Sequence, residues 1–214
     1  MKRFSFCLAA AAALLPASWA QAQAQGRPQV QGQISYSYLE AAVTGHRIDT
    51  TLVGEEEALG AGFKASYEIM PYVHVFGSYQ YTEFDDFDLQ TDLVKAGVGA
   101  HYAISASKSI YADVAAITTD LELSDPVFGS VKSDDDGYGV SIGYREINHT
   151  PLEFHLSVDY VEFDKANTSE TTADIGLQYA LNRQFKILGA IQFGGDENIL
   201  RLGVRYYLRG RDAN

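Results

Sequence analysis

The chain has 214 residues, of which 46% are apolar and 21% charged, and its formal net charge is −12. With 28 Asp and Glu against 16 Lys and Arg, it lacks the basic surface that a nucleic-acid partner requires. The single cysteine, Cys7, excludes an intrachain disulfide and a structural thiol site.

Residues 1–20 have the three parts of a secretory signal peptide. Lys2 and Arg3 give a basic start, 4–15 form an apolar run, and small residues follow Pro16. Ser18 and Ala20 satisfy the small-x-small cleavage rule, with Ala22 or Ala24 as later sites. The apolar run falls short of the roughly 20 residues a membrane-spanning helix needs. Cys7 lies near the start of that run rather than closing it, which argues against a lipoprotein anchor. Cleavage removes Cys7, Trp19, Lys2 and Arg3 and leaves a net charge of −14. A short polar periplasmic leader, 21–32, follows, then a domain over 33–208 and a tail over 209–214.

From residue 33 onward, segments of about ten residues alternate between apolar and polar, the length and period of a transmembrane β-strand. They fall at 33–43, 59–70, 72–83, 92–104, 109–119, 137–147, 152–163, 171–181, 185–194 and 198–208. In the first, Ile34, Tyr36 and Tyr38 read as lipid-facing. That register aims Glu40 at lipid, at about 2 kcal/mol or more near mid-membrane, so a bulge near Leu39 is predicted to turn it inward. The fourth sets Val94, Ala96, Val98, Ala100, Tyr102 and Ile104 against Lys95, Gly97, Gly99 and His101. The seventh sets Leu152, Phe154, Leu156, Val158 and Tyr160 against Glu153, His155, Ser157 and Asp159. The tenth sets Leu200, Leu202, Val204, Tyr206 and Leu208 against Arg201, Gly203, Arg205 and Tyr207.

Connections alternate in length. Met70–Pro71, 105–108, 148–151 and 182–184 are tight and free of carboxylates, whereas 44–58, 84–91, 120–136 and 164–170 are longer and acidic; 195–197 is short. A soluble sandwich also alternates its strands, but unequal connections on the two sides are the outer-membrane pattern. The expected fold is all-β: a closed antiparallel up-and-down transmembrane barrel of about ten strands, with eight as the alternative. An even count puts both termini in the periplasm and the long loops outside the cell.

Strand parity places Lys64, Lys95, Arg145, Lys186, Arg201 and Arg205 in the lumen against Glu68, Asp113, Glu153, Asp159 and Asp174, with Glu40 if the bulge forms. Charges enclosed in a narrow barrel need partners, so a network that fills the lumen is expected. His155 also points inward, and His46, His74 and His101 read as lumen or turn residues. His155-x-Ser157 with Asp159 resembles the His-x-Ser of outer-membrane lipid A deacylases. Parity turns these residues away from acyl chains, and side chains two apart on a strand stand about 7 Å from each other, so no catalytic residue, cofactor or metal is assigned and the chain is not expected to be an enzyme.

The acidic loop residues are Glu55, Glu56 and Glu57, then Glu83, Asp85, Asp86 and Asp88, then Asp134, Asp135 and Asp136. Arg47, Lys132 and Lys165 are the only loop cations. These carboxylates read as solvated surface or, alternatively, as sites for divalent cations beside lipopolysaccharide phosphates. Asp134-Asp135-Asp136-Gly137 falls short of a calcium loop, because Lys132 occupies the first ligand position and no closing Glu follows. Tyr67, Tyr102 and Tyr144 near the turns and Tyr38, Tyr81 and Tyr160 near the loops suit interfacial girdles, or simply reflect aromatic preference for strands. Phe84, Phe87 and Phe128 are candidate loop contact points.

Arg201, Gly203, Tyr206 and Leu208 resemble the terminal-strand signal that outer-membrane barrels present to the barrel-assembly machinery, here followed by a six-residue tail. The whole mature chain resembles the small OmpA/OmpX-like outer-membrane barrels. Within them it is similar to proteins that carry Tyr-x-Tyr-apolar-Glu (Tyr36, Tyr38, Glu40) and Pro-x-x-His-Val-Phe-Gly-x-Tyr (Pro71, His74, Val75, Phe76, Gly77, Tyr79). Membrane lipid and lipopolysaccharide are the expected neighbours, and the resemblance has no settled catalytic activity to carry over. The expected role is structural, or surface interaction and adhesion through acidic loops. The alternatives are a pore for small solutes or ions and a soluble periplasmic ligand-binding barrel.

Overall fold

A computed structural model describes residues 34–50, 54–84, 89–125, 129–148, 151–195 and 197–208. The expected signal peptide, the leader, the tail, Asp85, Asp86, Phe87, Asp88 and Phe128 lie outside the described residues.

Alternation along the sequence produces ten strands: β1 Tyr38–Thr50, β2 Gly54–Met70, β3 Val73–Phe84, β4 Leu89–Ser105, β5 Lys108–Asp125, β6 Gly129–Ile147, β7 Leu152–Phe163, β8 Thr168–Ala180, β9 Phe185–Gly194 and β10 Glu197–Tyr207. Each pairs antiparallel with its neighbours in sequence, and β1 pairs with β10, so the sheet closes on itself. The count is ten rather than eight. Closure satisfies backbone groups around the whole ring and leaves no sheet edge in the membrane. Among the described residues no helix is long and apolar enough to cross a membrane.

The sides of the wall are reversed relative to a water-soluble protein. Val43, Phe63, Val98, Ile142, Leu177 and Val204 are exposed on the outside, while Glu40, Asp113, Arg145, Glu153, Asp174 and Lys186 are buried inside. Lipid is the outer solvent that makes this arrangement stable.

β1 differs from its sequence reading. Tyr36 and Tyr38 are only 4% and 6% exposed and face the lumen, whereas Val43 is 59% exposed. Pairing of β1 with β2 and β10 runs without a register shift, so there is no bulge at Leu39. Glu40 enters the lumen because Tyr36 and Tyr38 share its face. Counting tyrosine as a lipid-facing apolar residue inverted the strand; its ring is apolar, but its hydroxyl and π-face make it an equally good partner for buried cations.

The long connections differ too. β5 runs to Asp125 and β6 starts at Gly129, so Asp134, Asp135 and Asp136 lie on a strand, as do Glu55, Glu56 and Glu57 on β2. β5 and β6 pair without interruption as far as Asp125 and Gly129, and only short links, 51–53 and 126–128, separate the strand ends. At the β9–β10 link, Gly194 and Gly195 have φ of 142° and 61°, and a Cβ on Gly194 would collide with the Thr171 carbonyl. Glycine is what makes this hairpin short.

Inside the wall, large rings lie across glycines of the adjacent strand. Phe76 covers Gly97 and Tyr111 covers Gly143, each at a paired position. Gly143→Val should therefore cost about 1–3 kcal/mol by overpacking, read as a lower urea midpoint and a smaller fraction of the fast-migrating folded band on unheated gels, whereas Gly45→Ala, where open space surrounds the position, should leave both unchanged.

Candidate functional site in the lumen

The turn-side end of the lumen is filled by one connected group. Glu153 on β7, 1% exposed, accepts from Arg145 Nε at 2.7 Å and Nη2 at 2.6 Å, and from Lys186 Nζ on its other oxygen. Arg145 also donates to Tyr207 Oη at 2.9 Å and to the Ser35 carbonyl at 3.1 Å, and Tyr207 donates to Gln178 Oε1 at 3.2 Å. The Arg145 guanidinium sits 4.7 Å from the Tyr36 ring centre, and Lys186 Nζ 4.6 Å from that of Tyr207. Next to this group, Arg205 donates to Glu40 at 2.8 and 2.5 Å and lies 4.0 Å over the Tyr38 ring.

Tyr36 links this group to a second. Its ring stacks on His101 at 4.0 Å and on His74 at 4.9 Å, and its hydroxyl pairs with Ser109 at 2.9 Å. His74 Nε2 lies 3.1 Å from Asp113 and His101 Nε2 3.2 Å from Glu68. The Tyr-x-Tyr-x-Glu and Pro-x-x-His stretches, over 30 residues apart in sequence, thus meet in space as a stacked Tyr36–His74 pair.

Higher in the lumen, Asp174 lies between Arg201 and His155, the latter at 3.0 Å. His155 Nε2 meets Tyr111 Oη at 2.8 Å, while Ser157 donates to Asp159 at 3.0 Å. Both nitrogens of His155 are therefore engaged by groups other than Ser157, and the nucleophile–base hydrogen bond that a serine hydrolase needs is not formed. His46 pairs with Glu197 at 2.5 Å and Thr44 at 2.8 Å.

Above the Glu153 group lies a cavity of about 470 Å³. It is lined by residues from every strand, Lys64, Lys95, Asp159 and Arg201 among them. The lumen, expected to be narrow, thus holds a packed charge network towards its turn end and a chamber above it. Phe84, read as a loop contact, is the last residue of β3 and lines this chamber.

A family model described as an outer membrane protein beta-barrel domain matches residues 7–179. The chain belongs to that family. It is therefore a protein of the bacterial outer membrane. Among solved structures, Neisserial surface protein A is 13% identical, with 81% of this chain and 98% of that one covered and a TM-score of 0.49. The attachment invasion locus protein Ail of Yersinia pestis is 14% identical, covering 81% and 100%, with a TM-score of 0.46. KdgM porin is 11% identical, covering 79% and 99%, with a TM-score of 0.44. Comparison with the curated proteins gave no match.

On the lipid-facing side of this outer-membrane barrel, tyrosines meet carboxylates. Tyr81 donates to Glu83 at 3.2 Å, Tyr144 to Glu146 at 2.7 Å, and Tyr160 and Tyr138 to Glu162 at 2.7 and 2.6 Å; Tyr79 donates to Asp92. Three of these are Tyr-x-Glu, the spacing that sets both side chains on one strand face, a repeated signal the sequence reading passed over. Tyr67 and Tyr102 are exposed on the outer face. Tyr38 is not part of any girdle: it lies inside, opposite Tyr207 at the turn end. Of the terminal-strand residues, Arg201 faces in, Gly203 gives close approach to Ala41 and Ala42, Tyr206 packs 4.9 Å from Phe185, and the Leu208 amide donates to the Ser37 carbonyl at 3.0 Å.

The acidic ends are partly occupied by protein partners. Lys132 pairs with Glu122 at 2.9 Å, Lys165 with Asp134, and Thr118 donates to Asp136 at 3.0 Å; Glu57 is exposed. The side chains of Glu55 and Glu56 are not among those described. No three His, Cys, Asp or Glu side chains converge on one point among the described residues. Asp135 accepts from the amides of Lys165 at 2.9 Å and Ala166 at 2.8 Å, capping the β7–β8 turn. Burial alone would raise its carboxyl, but these two amides hold it below the usual range.

Two outcomes follow from this geometry. Glu153→Ala should destabilise the barrel by about 3–5 kcal/mol, since it strands two buried cations; urea titration in detergent reads this, and Arg145→Met with Glu153→Met and Lys186→Met should recover most of it. For Asp135, a folded value below the ordinary one means the cap is fully present above the ordinary carboxylate range and is lost as pH falls through its lowered value. Amide exchange at Lys165 and Ala166 should rise there beyond the intrinsic trend, and should be fast at all pH in Asp135→Ala.

Proposed function

We propose that this outer-membrane barrel is closed to through-flow and acts at the cell surface, through the acidic ends of its long hairpins, with the tight turns and both termini on the periplasmic side. The observation that carries this is the seal at Glu153. A solute passing the turn end has to separate Arg145 and Lys186 from a carboxylate that is 1% exposed, and opening a buried pair of this kind costs about 3–5 kcal/mol. On the other side, exposed Glu57, Asp120, Asp134 and Asp136 give the hairpins a negative field. Such a field draws a basic partner surface and tolerates lipopolysaccharide phosphates through divalent cations. The short turns and unequal hairpins support the orientation, and the terminal-strand pattern supports insertion by the barrel-assembly machinery.

A pore for small solutes or ions is the second reading, favoured by the 470 Å³ chamber. Planar-bilayer recording separates the two. A closed barrel gives no large, steady conductance, and Glu153→Ala introduces one; steady conductance from the native protein overturns the seal. For the surface role, nanodiscs bearing the barrel should bind immobilised polylysine in a salt-sensitive way. Changing Asp120, Glu122, Asp134 and Asp136 to their amides should weaken that binding at least severalfold, and an unchanged signal would sink the hairpin assignment.

A further inference from the structure

We propose that the chamber above the seal is a binding well for a small organic anion, whose carboxylate or phosphate sits between Lys64 and Lys95. Lys64 pairs with Ser78 and Ser78 with Lys95, so the two lysines stand at one level on alternate strands, about 10 Å apart across the sheet, and both line the chamber. Every other described lysine or arginine that faces the lumen has a carboxylate within 4 Å: Arg145, Lys186, Arg201 and Arg205. Lys64 and Lys95 have none among the described residues. Lys64 lies 5.3 Å from the centre of the Phe76 ring and stands across from Glu40, whose carboxylate is already held by Arg205; Asp159 is the carboxylate that acts most on Lys95.

Two ammonium groups at one level of an enclosed, weakly screened lining repel and are poorly solvated, and an anion between them would relieve both costs. A third donor lies on the same lining: Arg201 Nε is buried without a hydrogen-bond partner. Ser78, Gln80, Thr91 and Ser141 add hydroxyl and amide groups, and Asp159 adds an acceptor suited to ligand hydroxyls.

The chamber has a floor and a mouth. Its lining includes Arg145 and Tyr36 but stops short of Glu153, Lys186 and Tyr207. At the other end it reaches Phe84, the last residue of β3, Phe163, the last of β7, and Glu197, the first of β10. A volume of about 470 Å³ falls within the ~300–1,000 Å³ of small-molecule sites and admits a solute of sugar-acid or sugar-phosphate size. That the well is blind rests on the closed-lumen reading; that it binds anions does not.

Calorimetric titration of the refolded full chain in neutral detergent tests this, with glucuronate and glucose 6-phosphate as the carboxylate and phosphate probes and glucose as the uncharged control. At least one anion should bind while glucose does not. Lys64→Met and Lys95→Met, each verified as folded by heat-modifiable migration, should weaken binding by about tenfold or more, equivalent to roughly 1.4 kcal/mol. Lys132→Met, on the outer hairpin, should leave it unchanged. Absence of binding by both anions, equal binding of glucose, or equal losses in Lys132→Met and Lys64→Met would overturn the site. Native conductance that a bound anion blocks would support the site while removing the seal, so the two readings fail separately.

Discussion

A barrel wall with lipid on one side sends its polar side chains to the other, and the lumen then has to satisfy every charge it receives. Glu153 shows how tightly that condition binds. Arg145 and Lys186 come from β6 and β9, and both converge on one carboxylate of β7. Leaving either cation without that partner would exceed the net stability that most single contacts provide. The aromatic rings of Tyr36, Tyr38 and Tyr207 follow from the same condition: the first two lie against the guanidinium groups of Arg145 and Arg205 and the third against the Lys186 ammonium, on sides the carboxylates leave open. The seal, the inward turn of β1 and the stacked Tyr36–His74 pair are parts of one electrostatic solution.

Much of the architecture was legible because membrane strands obey a strict period of two. The faces read for β4, β7 and β10 match the exposed Val94, Leu156 and Leu202 and the inward Lys95, His155 and Arg201. β1 was not legible by that rule, since tyrosine fits either face, and what decides is a cation from another strand. The ends of β5 and β6 were also missed: membrane thickness sets where a strand must be, not where pairing has to stop.

For the lumen, composition told which charges enter but not which pair. Six cations against six carboxylates looked like neutrality, yet neutrality in number is not pairing in space. His74 takes Asp113, His101 takes Glu68, and His155 shares Asp174 with Arg201. With those carboxylates engaged, Lys64 and Lys95 have no carboxylate within 4 Å among the described residues, although Glu40 and Asp159 stand nearby. Only the register of ten strands, a long-range property, shows that the two lysines stand opposite a common serine rather than at separate heights.

The seam between β1 and β10 joins the first and last strands, and it carries two charge contacts: Arg205 with Glu40 and His46 with Glu197. β1 and its lead-in also bring Tyr36 to the guanidinium of Arg145 and the Ser35 carbonyl to its Nη1. Ring closure and completion of the charge network in the lumen accordingly share the same contacts. A chain whose last strand has formed but whose first has not docked holds an unshielded Arg205 and an uncovered Arg145 facing its own interior. The electrostatic cost of that half-made state falls away when β1 docks against β10, so the charges of the lumen also favour the closed ring over the open sheet.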